Sequence, residues 1–237
     1  MNASTKLAIA AAAVAVVAVV GYNLLPNRGG NIGGPPTAAP TSSPTAPPEI
    51  RTGALAAGTY TVTSFTATPF TLVVPAGWAL DGDGFIAKGD YRRGTGVGFG
   101  TWVVDHVYGD SCKAPRNMVP VNTSAELLTA FGQQTGHGTV GPTERPLGGL
   151  TATWFEFSVP ADFDLTTCDG EIIRLWPGTG GDDNSGEPIL AAGQTDTIYV
   201  LADGARTTVL VAIQHVGSTE GDVVELRAIL NSIEFQR

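Results

Sequence analysis

The sequence predicts an α+β domain with antiparallel strands, and three observations carry that prediction. Thr197 to Ala202 and Ala205 to His215 flank Asp203-Gly204, a dipeptide that supplies the positive φ angles of a type I′ hairpin. Both parities of these segments are apolar: Ile198 and Val200 alternate with Tyr199 and Leu201, and Val209, Val211 and Ile213 with Leu210 and Ala212. Such strands should be central and covered on both sides. Two stretches then switch to helical spacing behind a hydroxyl cap. In Asn122 to Gln133, Thr123-Ser124-Ala125-Glu126 is a capping box, in which Thr hydroxyl and Glu carboxylate reciprocally satisfy free N–H groups, and Leu127, Leu128 and Phe131 share a face. Near the end, Ser218 or Thr219 caps a helix whose Val223, Leu226, Ile229, Leu230 and Ile233 recur at helical spacing.

The remaining elements follow in chain order. After a short start, residues 1–6, the run Leu7 to Leu25 carries no charge and ends at Pro26. At close to the roughly 20 residues needed to cross a bilayer, it is expected to span the cytoplasmic membrane. A cleaved signal peptide is the alternative, but the small-residue site Ala13-Val14-Ala15 lies inside the run and the residues after it suit cleavage poorly. Residues 26–57 are rich in Pro, Gly, Thr and Ser with almost no apolar bulk, so they read as a disordered stalk. The domain proper is expected over 58–237.

Thr59 to Phe65 and Phe70 to Val74 form a hairpin ahead of Pro75-Ala76-Gly77-Trp78, Phe85 to Lys88 a short strand, and Thr95 to Val107 a longer one. Gly94, Gly96, Gly98 and Gly100 alternate there at a spacing of two, which is no dinucleotide loop; a bare strand face signals close packing of another element. Val140 to Pro146 and Leu150 to Val159 pair around Gly148-Gly149. Glu171 to Trp176 is a strand followed by a loop, Pro177 to Pro188, and Ile233-Glu234-Phe235 forms a short final strand.

The chain holds 22 acidic against 13 basic residues, a net charge of −9, and beyond the leader its only lysines are Lys88 and Lys113. Such a surface repels phosphate backbones, so nucleic acid is not an expected partner. Two cysteines, Cys112 and Cys168, stand in turn-like surroundings without the close spacing or neighbouring histidine of a metal pair. In an oxidising compartment they are expected to form a disulfide, and with the leader this places the domain outside the cytoplasm.

Catalytic patterns are sparse. No GxSxG elbow occurs, and Asp105-His106 would point to opposite faces if both lay in one strand. Asp81-x-Asp83 and Gly181 to Glu187 are oxygen-rich and glycine-bent but lack calcium-loop spacing, so solvated turns are the simpler reading. Trp78, Trp102, Trp154 and Trp176 are read first as packing residues. Should a ligand pocket exist, the place to look is around Arg174, Trp176, Asp182, Asp183 and Glu187, because loops on a rigid sheet carry function. No cofactor or metal site is expected.

The series PFTLVVPAGW, PLGGLTATWFEFSV, DTIYVLADGARTTVLVAIQ and VVELRAILNSIEF resembles the PsbP-like fold. The chain is also similar to uncharacterised extracytoplasmic proteins of high-GC bacteria, through Val107 to Cys112, Cys168 with Trp176, and Gly193 through Gly204. The resemblance implies an antiparallel sheet with helices packed on its faces and brings no catalytic residue with it. The expected role is a membrane-anchored extracytoplasmic binding or interaction module, with an unidentified protein or small molecule as partner. The alternative is an extracytoplasmic hydrolase or metal-dependent enzyme using the acidic loops.

Overall fold

The computed structural model describes residues 46–236 apart from 65, 67, 83, 91–93, 114–116 and 204–205, with the side chains of 183–190, 203 and 206 also outside the description. The expected start, membrane anchor and most of the stalk lie outside the described residues. Among the described residues no helix is long and apolar enough to cross a membrane.

The folded body begins before the expected boundary at 58. Ile50 donates its N–H to Thr61 O at 2.8 Å, Glu49 Oε1 accepts the N–H and hydroxyl of Thr63, and both Ile50 and Leu55 are buried. Burial of these two apolar side chains, together with those hydrogen bonds, holds the end of a segment whose average composition argues for disorder. Strand β1 (Gly53–Ala54) follows, then β2 (Gly58–Val62) and β3 (Phe70–Val74), which pair as expected. Next come β4 (Ala79–Leu80), β5 (Ile86–Lys88), β6 (Val97–Val103) and β7 (His106–Tyr108). The single strand expected over Thr95 to Val107 is therefore broken at Val104-Asp105.

Strand β8 (Met118–Pro120) leads into helix α1 (Ser124–Gln133). Thr123 caps it, accepting Glu126 N–H at 3.2 Å, while Glu126 Oε2 reaches back to the N–H of Asn122 at 2.7 Å rather than to that of the cap residue itself. After α1 come β9 (Gly138–Leu147), β10 (Leu150–Ser158), β11 (Ile173–Gly178) and β12 (Asp182–Leu190). The segment expected as a loop over Pro177 to Pro188 is thus mostly the second arm of a hairpin. The last elements are β13 (Thr195–Asp203), β14 (Arg206–Gln214), helix α2 (Glu220–Asn231) and β15 (Glu234–Phe235). The β13–β14 ladder extends to Asp203 opposite Arg206, so Asp203 belongs to the strand and not to the turn.

Eight strands form one antiparallel sheet in the order β1-β4-β5-β6-β14-β13-β10-β9. Each face carries a packed layer. On one, α2 and the small sheet β15-β3-β2 bury Leu201, Leu210 and Ala212 against Leu226, Ile229, Phe70 and Leu72. On the other, α1 and β11 bury Ile198, Val200, Val209 and Val211 against Leu127, Phe131, Leu175 and Trp176. The two parities of β13 and β14 therefore feed two separate cores, which is why neither carries the usual polar alternation. Gln134 fastens the second layer: its buried Nε2 donates to Tyr108 O at 2.8 Å and Leu175 O at 2.6 Å.

The expected disulfide is present. Cys112, in a one-turn helix Ser111–Lys113, is bonded to Cys168, and Lys113 Nζ adds a hydrogen bond to Thr167 O at 3.0 Å. A cystine in the folded domain indicates an extracytoplasmic location.

Candidate functional site

The aromatic expected to line a pocket is part of the core. Trp176 is 1% exposed, and its ring packs 6.0 Å from Trp102 and 5.6 Å from Phe131. Its indole Nε1 finds no acceptor among the described residues. Arg174, two residues earlier on β11, is half-buried, and the ladder sets Trp176 opposite Glu187 and Gly178 opposite Asp182. Asp182 is exposed at the turn; the side chains of Asp183 and Glu187 lie outside the described residues. The backbone thus brings Trp176 and Glu187 together, but the Trp176 ring points into a filled aromatic cluster.

The break after β6 corrects a second expectation. Because Asp105 sits in a bend and not in a strand, its Oδ1 lies 2.9 Å from the adjacent His106 Nδ1, and Oδ2 accepts the Gly180 N–H at 2.8 Å. Partial burial works to raise the Asp105 carboxyl, yet the hydrogen bonds from His106 and Gly180 outweigh it and hold the group below its ordinary value. Among the described residues the His106 side chain makes no second hydrogen bond, and Asp105 ties the β11–β12 turn to this bend.

A different place gathers polar side chains. On the α2 face of the main sheet, the antiparallel register sets Trp154 opposite Tyr199, Glu156 opposite Thr197, and Thr195 opposite Gln214. Side chains two apart on a strand share a face. Thr195, Thr197 and Tyr199 of β13 therefore lie beside Trp154 and Glu156 of β10 and Gln214 of β14, where α2 no longer covers the sheet. Arg145 of β9 and Val223, Arg227, Leu230 and Asn231 of α2 complete the walls of an open groove of about 320 Å³.

The electrostatics of this groove run against those of the whole chain. Arg145 lies over the Trp154 ring with its guanidinium carbon 3.8 Å from the centroid, an arrangement that holds both planes in place. Burial pushes the half-buried Tyr199 phenol up, while the positive charges of Arg145 and Arg227 both work to lower it. Neither arginine forms an ion pair with a described residue, although the protein carries nine more acidic than basic groups. Among the described residues the polar groups of Arg145, Glu156, Thr195, Thr197, Tyr199, Gln214, Arg227 and Asn231 also make no side-chain hydrogen bond. The buried glutamines Gln134 and Gln194, by contrast, are both bonded within the protein.

A second depression, about 360 Å³, lies between β8 and α1 and is lined by Val119, Pro120, Val121, Ala125 and Ala130. It is wider and mostly apolar, without converging charges. Among the described residues no cluster of three or more His, Cys, Asp or Glu side chains is arranged to hold a metal ion.

The groove was not foreseen from the sequence. Its one legible sign is the Thr195-x-Thr197-x-Tyr199 alternation on a strand whose other parity is Ile198 and Val200. Arg145 and Arg227 carry no such sign, because their approach depends on where β9 and α2 dock.

No protein-family model matches the chain, and no curated protein matches it. Among solved structures, a crystal structure from Bacteroides thetaiotaomicron is similar at 10% sequence identity and a TM-score of 0.30. The match covers 71% of this chain and 45% of that one, so the chain spans less than half the length of the protein it resembles.

Proposed function

We propose that this chain is a membrane-tethered extracytoplasmic binding protein whose groove, walled by Arg145, Trp154, Tyr199 and Arg227, captures a small ligand bearing an anionic group without transforming it. The observation that carries this reading is the set of groove side chains that make no hydrogen bond or ion pair with the rest of the described protein. Polar groups gathered in a concavity and left uncommitted are the usual provision for a ligand. The uncharged apolar run Leu7 to Leu25 supports the tether, and the disulfide supports the outer compartment. The two-sided sheet supports a PsbP-like architecture.

The chemistry of the groove favours binding over turnover. Glu156 is its single carboxylate and no histidine lines it, whereas glycoside hydrolysis ordinarily uses two facing carboxylates and acyl transfer a nucleophile beside a base. Two guanidiniums instead offer forked donors that match a carboxylate or phosphate oxygen pair.

Saturation-transfer NMR on the detergent-solubilised full chain, with a pooled panel of sugar acids, α-amino acids and phosphate esters, tests the reading. At least one pool member should show transfer from the protein that disappears in the R145A/R227A variant. No transfer from any member, or transfer that survives loss of both arginines, would remove the proposal.

A further inference from the structure

Building on that binding role, we infer that the groove's ligand is an acidic sugar, a hydroxyl-rich ring carrying one carboxylate, free or at the end of a longer glycan. Charge comes first. Arg145 and Arg227 against Glu156 leave the groove one positive charge in excess, which matches a monoanion. A phosphate monoester would bring close to two negative charges next to Glu156 and leave the site net negative.

The groove's hydrogen-bonding groups narrow the choice further. Glu156 can only accept, so the ligand must carry a donor as well as its anion. The hydroxyls of Thr195 and Thr197 and the amides of Gln214 and Asn231 each donate and accept, as sugar hydroxyls do, and none is satisfied by a described residue. An α-amino acid would fill the charged positions, ammonium on Glu156 and carboxylate on the arginines, but would leave these four groups unpaired. Polar groups closed off without a partner weaken binding.

The groove's shape points the same way. Along the α2 wall the groove is lined by the apolar Val223, Leu226 and Leu230, of which Val223 is the most exposed, with the polar groups of β10 and β13 forming its floor. A pyranose ring is similarly two-sided, with C–H groups on its faces and hydroxyls at its rim. The Trp154 ring is covered by Arg145, so the sugar would meet the guanidinium edge and not stack on the indole.

Calorimetric titration of the detergent-solubilised full chain with D-glucuronate, D-galacturonate, D-glucose, acetate and L-alanine tests the assignment. At least one uronate should bind about 10-fold more tightly than glucose and acetate, and R227A should abolish that advantage. Arg227 is exposed, and an unchanged melting temperature would confirm that the variant remains folded. Thr197→Val should weaken the uronate several-fold while leaving the weak acetate response unchanged, which a purely ionic site would not show. Uronate binding no tighter than acetate or glucose would overturn the sugar assignment. Preference for alanine that depends on Arg227 would also overturn it while leaving the binding groove intact. Silence from all five ligands, together with silence from the phosphate esters, would take down both readings.

Discussion

Gly98 and Gly100 lack side chains because aromatic rings occupy the space where those side chains would go. A Cβ on Gly98 would collide with the Phe85 ring and stand 2.9 Å from Ile86 O; one on Gly100 would stand 2.8 Å from the Trp102 ring. The period-two glycines of β6 thus serve packing, as their spacing indicated, although Gly94 and Gly96 lie before the strand. The Gly98 clash is not relieved by moving a flexible chain end, since Ile86 O is backbone in the paired strand. Gly98→Ala should destabilise the domain by about 2 kcal/mol, within the usual range for overpacking, whereas Gly82→Ala, with nothing within 4 Å, should change little. Urea unfolding of the two variants checks this. The Asp105–His106 contact shows where the residue scale misleads: alternation forbids such a pair within a strand, but the bend at Asp105 suspends alternation.

At the scale of elements, both helices begin where their caps stand. Thr123 accepts from Glu126 N and Thr219 from Asp222 N at 3.1 Å, because a hydroxyl at that position satisfies a donor left free by the first turn. Lys88 then pins α2 to the sheet, with Asp222 and Glu225 each 2.9 Å from its ammonium, and Trp78 Nε1 donates to the same Glu225 at 3.0 Å. The ammonium lies on the surface, so this pairing orients the helix more than it stabilises the fold. Helix α1 carries an evident weakness in Gly132, exposed near its C-terminal end with open space around the missing Cβ. Gly132→Ala should stabilise the protein by about 0.5–1 kcal/mol by reducing the freedom of the unfolded chain, and thermal melts should show a raised midpoint. Hairpins and helices were legible because their signals are local. The β11–β12 hairpin was not, since Gly, Asp, Asn and Ser favour turns and only its pairing with Ile173 to Gly178 makes 182–190 a strand.

The described domain as a whole is built on one wide sheet between two apolar layers, and the disulfide fastens the outer layer on the α1 side. Cys112 and Cys168 lie 56 residues apart in the chain, and closing a loop of that length stabilises by about 4 kcal/mol on the chain-entropy account. Replacing both cysteines with serine should lower the melting temperature by about 10 °C. Purified wild-type protein should show no reactive thiol until it is unfolded in reductant. Free thiols in the native protein would remove the argument for an oxidising compartment.

Local chemistry written along the chain was enough to determine the antiparallel strands, the two capped helices, the central position of the final hairpin and the pair of cysteines. Each depends on neighbours only a few residues away, or, for the cysteines, on there being just one way to pair two. The groove depended on the tertiary structure alone. Arg145, Glu156, Tyr199 and Arg227 come from three strands and a helix, and they meet only because the register aligns β10 with β13 and α2 stops short of covering that end of the sheet. Strand register and helix docking are set by the fit of two whole cores, which no stretch of sequence contains by itself.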